Sequence, residues 1–240
     1  MKQQYERTAR LIGEDGVTCL SRARVAVFGL GGVGGAAVEA LARAGVGFLY
    51  LCDNDMITES NINRQLIATH ATIGQPKTAA WIARVREIDP QIQVTAYNVF
   101  FLPETADMFD FSRYDYVIDA VDTVAAKTEL IRRAKTADVP IISAMGAGNK
   151  LDPTAFRVAD IEKTDTCPLA RTVRAFCRKA GIRHVKVVYS AEQPTGDTLS
   201  EEHGRHTPGS ISFVPPVMGY ILAGEVIKDL LQAKENRPAE

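Results

Sequence analysis

Short apolar runs alternate with helical patterns over the first 145 residues of the chain. The apolar runs are residues 25–28, 48–52, 92–96, 116–120 and 139–143. The segments between them carry apolar residues at helical spacing and predict helices at 35–44, 77–88 and 127–136. Strands that alternate with helices are typical of a mainly parallel sheet covered by helices on both faces, so we predict an α/β fold.

The pattern changes from Gly146 onward, where the regular alternation stops. Two further apolar runs, 185–189 and 211–214, flank a polar stretch at 192–208 and predict a short antiparallel extension. Because residues 195–208 contain few apolar side chains, we expect a mobile loop there. An apolar helix at 217–231 closes the chain, and its Gly219, Ala223 and Gly224 allow close packing against a neighbouring element.

Composition limits the class of protein. The chain has 240 residues, of which 46% are hydrophobic, which predicts one domain over residues 1–240. Its formal net charge of −1 excludes a global field that would attract nucleic acid. We expect a cytoplasmic protein with no membrane segment, since no apolar run approaches the ~20 residues of a bilayer span. The cysteines form no C-x-x-C pair, which argues against a zinc site or a disulfide framework; they are Cys19, Cys52, Cys167 and Cys177.

A glycine-rich turn follows the first predicted strand. The strand at 25–28 leads into Gly29-Leu30-Gly31-Gly32-Val33-Gly34, and an alanine-rich helix comes next. Glycines let the backbone approach a ligand closely, and the free N–H groups of a helix start face bound anions, so we predict a phosphate site. Asp53 follows the second strand, where dinucleotide-binding folds place a carboxylate on the ribose. This pattern alone also fits an NAD-dependent dehydrogenase.

Four more motifs separate these possibilities. They are Asp53-Asn54-Asp55, Ser60-Asn61-Ile62-Asn63-Arg64-Gln65, Gly74-Gln75-Pro76-Lys77 and Asp119-Ala120-Val121-Asp122. Together with the glycine turn, they resemble the Rossmann-like adenylating domain of ubiquitin-activating (E1) enzymes and of bacterial proteins that activate sulfur carriers for molybdopterin and thiamine synthesis. The resemblance extends from Arg10 to the final helix.

One branch of that superfamily is closer than the others. The segments 146–154 and 158–164, with 7–13 and 209–215, resemble the family that dehydrates threonylcarbamoyladenosine in tRNA. The resemblance implies that ATP activates the carboxylate of N6-threonylcarbamoyladenosine at position 37 of tRNA. Ring closure then yields the cyclic base, and AMP leaves.

The resemblance also assigns roles to side chains. It implies that Asp53 holds the ribose, that Arg64 and Lys77 contact phosphates, and that Asp122 coordinates Mg²⁺. The two basic side chains and Mg²⁺ suit the reaction because negative charge gathers on the triphosphate when a carboxylate attacks it. The nucleotide-site candidates are Gly29, Gly31, Gly32, Gly34, Asp53, Asp55, Asn61, Asn63, Arg64, Gln65, Lys77 and Asp122. The catalytic candidates are Arg10, Arg64, Lys77 and Asp122.

Arg10 matches an N-terminal arginine that, in the superfamily, reaches the phosphates of the neighbouring subunit. The resemblance therefore implies a homodimer, although Arg7 could take that role instead. Cys167 lies where ubiquitin-type enzymes carry a thioester-forming cysteine. Ring closure needs no such intermediate because the acyl adenylate already has a good leaving group, so we predict a non-catalytic Cys167.

A basic segment lies within the predicted crossover region at about 146–191. Residues 169–191 contain six lysines and arginines and no acid. They are Arg171, Arg174, Arg178, Lys179, Arg183 and Lys186. Contact with the tRNA backbone and a solvated surface face both explain this pattern.

Other functions stay open on the sequence alone. Adenylation of a ubiquitin-like sulfur carrier would share the first step, although paired C-x-x-C zinc ligands, common in those enzymes, are absent here. An NAD-dependent oxidoreductase would leave Arg64 and Lys77 without a role, and an inert nucleotide-binding scaffold is a third alternative. A monovalent cation and a cysteine desulfurase with its sulfur acceptor are further partners that relatives suggest.

Overall fold

A computed structural model describes residues 2–195, 201–202, 205–206 and 208–235. The helices are α1 (Glu6–Arg22), α2 (Gly32–Ala44), α3 (Lys77–Ile88), α4 (Val124–Thr136), α5 (Pro168–Lys179) and α6 (Val214–Glu235). The strands are β1 (Arg24–Phe28), β2 (Phe48–Cys52), β3 (Gln93–Tyr97), β4 (Tyr116–Asp119), β5 (Ile141–Ala144), β6 (Phe156–Asp160), β7 (Lys186–Ser190), β8 (Glu201–Glu202) and β9 (Arg205–His206).

Seven strands form one sheet in the order β3-β2-β1-β4-β5-β7-β6. Every neighbouring pair is parallel except β6 and β7, which run antiparallel at one end. The predicted α/β fold with an antiparallel extension is therefore confirmed. The strand order reverses between β1 and β4, and open sheets of this kind bind ligands in the crevice at the carboxyl ends of the strands at that point.

Helices cover both faces of the sheet. On β1, Val25 and Val27 point to the face covered by α1, α2, α3 and α6, whereas Ala26 and Phe28 point to the face covered by α4 and α5. Side chains alternate between faces along a strand, so a strand buried on both sides reads as a continuous apolar run. This is why the apolar runs located the central strands.

Helix α6 packs closely on α2. A Cβ on Gly219 would lie 2.1 Å from the main-chain oxygen of Val33, so only glycine fits there. Ala223 is fully buried beside it. The prediction that Gly224 also packs closely is wrong, since among the described residues nothing beyond its chain neighbours and the nearby backbone of α6 lies within 4 Å of the position of its Cβ.

Three segments differ from the sequence prediction. Strand β6 was not predicted, and it supplies the antiparallel partner of β7. Helix α1 was not predicted, and Gly13, with a φ of 73°, interrupts it and divides it into two parts. Residues 211–214 do not form a strand, since Val214 begins α6 and residues 211–213 lie in the turn before it. Pro215 at the start of a helix removes an N–H group that has no helical partner.

The predicted mobile loop at 195–208 is described only in part. Within it, β8 and β9 form a short antiparallel pair. Residues 196–200, 203–204 and 207 lie outside the described residues, so the mobility of this loop stays a prediction. Among the helices of the described residues, none combines the length and apolar character that a membrane crossing needs.

Candidate active site

The glycine turn joins β1 to α2 at the carboxyl edge of the sheet. Gly29 has a φ of 86°, and a Cβ there would lie 2.6 Å from the main-chain oxygen of Ala120. Gly34 lies in the first turns of α2, where a Cβ would lie 1.8 Å from the main-chain oxygen of Gly29. The turn therefore needs glycine at both positions, and it brings the N-terminus of α2 to the crevice, where its N–H groups favour an anion.

A cavity of about 260 Å³ lies under this turn. The predicted nucleotide-site residues line it, apart from Gly34, which packs α2 on the turn, and Asn63, whose side chain bonds elsewhere. Val99, Phe100 and Phe101, which follow β3, contribute an apolar wall that sequence reasoning missed. Such a pocket, partly apolar with a few convergent polar groups, is typical of a small-molecule site.

Lys77 is a buried ammonium at the wall of this cavity, at the first position of α3. Its Nζ lies 2.6 Å from Oδ2 of Asp55 and 3.9 Å from Oδ1 of Asp53. Asp53 is also held by the N–H groups of Leu30 and Asp55, at 2.7 and 2.8 Å. Burial raises the pKa of Asp53, and the nearby Lys77 charge opposes that rise. These contacts tie the end of β2, the glycine turn and the start of α3 together.

The segment 58–65 forms the opposite side of the cavity. A short 3-10 turn at Glu59–Asn61 is closed by a capping box between Thr58 and Asn61. Gln65 is buried, and its Oε1 has no hydrogen-bond partner among the described residues. A buried amide oxygen without a donor is costly, so this atom suits a ligand that donates a hydrogen bond.

The Arg64 guanidinium is held by neighbours in the same segment. Its Nη1 donates to the main-chain oxygen of Ser60 at 2.8 Å and to Oδ1 of Asn63 at 2.7 Å. Both contacts fix the direction of a long and otherwise adaptable side chain beside the cavity.

Asp122 lies in the turn between β4 and α4, with its side chain exposed at the cavity. Beneath it lies a buried network that sequence reasoning missed. Lys127 donates to Asp119 at 2.8 Å and to the main-chain oxygen of Ala144 at 2.9 Å, and Ser143 donates to Asp119 at 2.5 Å. Burial raises the pKa of Asp119, opposed by Lys127. The sequence signal for this network was the position of Lys127 on the apolar face of α4.

The same network shapes the loop that carries Asp122. Oδ1 of Asp119 accepts the N–H of Val121 at 3.2 Å, and the N–H of Ala120 donates to Phe28 at 2.8 Å. The loop is thus fixed against both β1 and the buried ion pair. Among the described residues, no group of three or more His, Cys, Asp and Glu side chains could hold a metal ion.

Arg10 does not line the cavity of its own chain. It is exposed on α1, as is Arg7. Tyr5, just before α1, donates to Asp89 at 2.7 Å and packs on Gly45, which follows α2. Because α2 and α3 both end away from the carboxyl edge of the sheet, the start of α1 lies at the opposite edge from the glycine turn.

Three of the six basic side chains bond to other parts of the chain. Arg174 donates to Thr164 at 2.7 Å, Arg178 pairs with Glu162 at 2.7 Å, and Lys186 pairs with Asp229 on α6 at 2.6 Å. The other three, Arg171, Lys179 and Arg183, are exposed, and so is Arg178 despite its ion pair. Helix α5 begins at the carboxyl edge of the sheet and runs antiparallel to β7, so these residues extend from the site toward the opposite edge.

Cys167 precedes α5 and is buried, with 4% of its surface exposed. Burial lowers the pKa of the neighbouring Lys150, opposed by Cys167 and Glu192, and the Lys150 Nζ donates to the main-chain oxygen of Glu192 at 2.8 Å. All four cysteines are free thiols. The non-catalytic role of Cys167 stays a prediction.

Comparison with known proteins identifies the family to which this sequence is similar. The ThiF family matches residues 5–240. The chain is 43% identical to the tRNA threonylcarbamoyladenosine dehydratase of Bacillus subtilis (strain 168), over 97% of this chain and 96% of that protein. It is 33% identical to the molybdopterin-synthase adenylyltransferase of Salmonella typhimurium, over 87% of this chain and 86% of that protein.

A solved structure agrees with the sequence comparison. The Escherichia coli tRNA N6-threonylcarbamoyladenosine dehydratase in complex with ATP matches with a TM-score of 0.89 at 32% identity, over 99% of this chain and 97% of that chain. The resemblance drawn from the motifs is therefore confirmed. The chain belongs to the ThiF family, in the branch of the tRNA threonylcarbamoyladenosine dehydratases.

Proposed function

We propose that this protein is an ATP-dependent enzyme that dehydrates N6-threonylcarbamoyladenosine at position 37 of tRNA to its cyclic form. The observation that carries the proposal is the convergence of Arg64, Lys77 and Asp122 on one cavity beneath a glycine turn. The names of the relatives support the tRNA substrate, and an ATP complex of one of them supports the use of ATP.

The reaction has two steps. In the first, an oxygen of the threonyl carboxylate bonds to the α-phosphorus of ATP, and the bond to pyrophosphate breaks. In the second, a nitrogen of the same side chain attacks the acyl carbon and loses its proton to solvent, while the bond to AMP breaks. The second step is intramolecular, so proximity replaces a covalent enzyme intermediate.

The residues of this chain serve the first step by compensating charge. Lys77 and Arg64 would contact the triphosphate, and a phosphate would compete for Lys77 with Asp55, whose side chain is 60% exposed. Preorganised cations in a partly buried site stabilise charge that develops in the transition state. Asp53 would accept from the ribose hydroxyls, and Gln65 Oε1 offers a further acceptor.

Asp122 would hold Mg²⁺, which supplies charge neutralisation on the phosphates when bound. A single exposed carboxylate fits this ion, since Mg²⁺ keeps several waters and takes the rest of its ligands from phosphate oxygens. The chain holds this carboxylate in place through Asp119 and Lys127, which fix the loop from below.

Pyrophosphate exchange tests the proposal. With ATP, Mg²⁺ and tRNA that carries N6-threonylcarbamoyladenosine, the enzyme should incorporate labelled pyrophosphate into ATP and produce AMP with the cyclic base. If exchange requires a ubiquitin-like sulfur carrier instead of the modified tRNA, the substrate is that carrier protein and the tRNA assignment is wrong. Hydride transfer to NAD without any exchange would overturn adenylation altogether.

We infer that the exposed part of the basic segment contacts the tRNA backbone. Arg171 is exposed in the first turn of α5, near the carboxyl edge of the sheet, whereas Arg174 and Arg178 also have partners within the chain. Replacing Arg171, Arg174 and Arg178 by Ala should weaken tRNA binding and flatten its salt dependence while ATP binding stays intact. Unchanged tRNA affinity would make the segment a solvated face.

We also propose a cytoplasmic homodimer in which Arg10 of each subunit reaches the phosphates at the neighbouring site. Two observations support it: Arg10 lies outside the cavity of its own chain, and the adjacent Leu11 is 89% exposed. A large apolar side chain on a surface helix is typical of a contact that a partner would cover.

A further inference from the structure

Asn63 carries a side chain that turns away from the cavity and bridges two segments. Its Oδ1 accepts a hydrogen bond from Nη1 of Arg64 at 2.7 Å, and its Nδ2 donates to the main-chain oxygen of Ser210 at 3.0 Å. Asn63 does not line the cavity, whereas Arg64 does. The residue therefore joins a phosphate-contacting arginine to the chain just before α6.

The segment that Asn63 contacts is itself held from its other side. Gly209 forms two hydrogen bonds with Asn149, from Asn149 N to Gly209 O at 2.8 Å and from Gly209 N to Asn149 Oδ1 at 2.6 Å. Asn149 also accepts the N–H of Thr195 at 2.7 Å through its main-chain oxygen. Its φ of 57° lies in the left-handed region, where asparagine is among the few side chains that fit easily.

We infer that Asn63 and Asn149 are positioning residues of the adenylation step. They clamp Gly209 and Ser210 between the 146–151 loop and the 58–65 segment, and through that clamp they fix the guanidinium of Arg64. The inference rests on the proposed function and assigns a role to Asn149, which lies in the segment that resembled the dehydratase branch.

The chemistry of the two contacts explains why an amide is needed at position 63. Arg64 offers only donors, and the main-chain oxygen of Ser210 is only an acceptor. One side chain must therefore accept on one side and donate on the other. Aspartate could accept from Arg64 but could not donate to Ser210, and alanine could do neither.

The test compares kcat/KM for ATP in pyrophosphate exchange across a small set of variants. Asn63→Ala should lower it about tenfold, the loss expected when a hydrogen bond to a charged group is removed. Asn63→Asp should give an intermediate loss because it keeps the contact to Arg64. Asn149→Gly removes the side-chain acceptor but tolerates the positive φ, and it should resemble Asn63→Ala. Asn149→Asp, which restores an acceptor, should recover activity.

The decisive measurement is the double variant with Arg64→Ala. If Asn63 acts through Arg64, Asn63→Ala should cause no further loss in that background. Gln232→Ala, which truncates an exposed amide on α6, is the matched control and should behave as wild type. Unfolding midpoints measured in parallel should stay equal to that of wild type.

Two outcomes would overturn the inference. Fully multiplicative losses in the double variant would mean that Asn63 acts independently of Arg64. Asn63→Ala that matches Gln232→Ala would mean that the clamp has no effect on the reaction. Both outcomes can be measured only if the wild-type protein catalyses exchange. A wild type without exchange in the presence of modified tRNA would instead refute the proposed function.

Discussion

Lys77 combines burial with two carboxylate neighbours. Carboxylate oxygens of Asp55 and Asp53, which follow β2, lie at 2.6 and 3.9 Å from its ammonium. A lysine in such a position is costly to desolvate unless its charge is used or compensated. Its place at the wall of the cavity makes it the cation that a phosphate meets.

Lys77→Met should lower the rate of pyrophosphate exchange by about a hundredfold or more, because a preorganised positive charge is lost while the apolar stem is kept. The measurement is exchange at saturating modified tRNA, with ATP affinity determined separately. Lys234→Met, which replaces a more exposed lysine on α6, should leave the rate unchanged. Retained exchange in Lys77→Met would remove this residue from the mechanism.

Helices α2 and α6 meet through a contact that admits no side chain at one position. Gly219 faces the main chain of α2, whereas Gly224, five residues later, faces open space among the described residues. The two glycines lie on one helix but in opposite environments. They therefore separate the cost of overpacking from the intrinsic helix preference of alanine.

Gly219→Ala should lower the free energy of unfolding by about 2 kcal/mol, since the new methyl group collides with the main chain of Val33. Gly224→Ala should raise it by about 0.5–1 kcal/mol, the helix preference of alanine over glycine. Urea unfolding of both variants gives the comparison. Equal destabilisation by the two substitutions would contradict the packing described for α6.

The N-terminal segment is attached to the end of α3 through Asp89. Its carboxylate accepts from Lys2 and Gln4 and from the Tyr5 hydroxyl at 2.7 Å. Burial alone would raise the pKa of Asp89, but the hydrogen bonds from Lys2 and Tyr5 outweigh it and hold that pKa below its ordinary value. Burial and the bond to Asp89 raise the pKa of Tyr5 to about 12.

Asp89→Asn should be less stable than wild type at pH 7 by about 1–3 kcal/mol, because hydrogen bonds to a charged group are lost. A carboxyl with a lowered folded-state pKa contributes stability above the unfolded value of about 3.9 and loses it as pH falls through the folded value. The gap in thermal midpoint between the two proteins should therefore close below about pH 4. A constant gap across pH would show that the charge of Asp89 does not matter.

At the scale of the whole molecule, the proposed dimer makes each site depend on two chains. Arg10 is exposed and does not line the cavity of its own chain, so in the proposed dimer it would serve the cavity of the partner. A shared site of this kind has a consequence for mixtures of variants, because one intact site can form from two defective subunits.

Arg10→Ala and Lys77→Met, each nearly inactive alone, should regain about a quarter of wild-type exchange when mixed in equal amounts under conditions that let subunits exchange. Half of the dimers are then mixed, and each holds one site with its own Lys77 and the partner's Arg10. Exchange activity against mixing ratio is the measurement. No recovery, with subunit exchange verified by mass, would exclude a site completed across the dimer.

Much of this architecture could be predicted from the sequence, because local pattern and parallel topology determine it. The helix Lys77–Ile88 and the strand Phe48–Cys52 have the predicted bounds. Polar residues after the strands converge because carboxyl ends of parallel strands share one edge. The partners of Lys127 and Asn63 could not be predicted, since Ser143 and Ser210 are 16 and 147 residues away in the chain. Helix α1 was not predicted either, because Gly13 interrupts it.

The sealed position of Lys127 offers a chemical reporter. Acylating reagents modify only amines that solvent reaches, and the Lys127 side chain is 0% exposed with its ammonium bound to Asp119. Lys228, 63% exposed on α6, should be modified at once. The slow acylation of Lys127, followed by mass spectrometry, would then count how often α4 lifts from the sheet, without any denaturant.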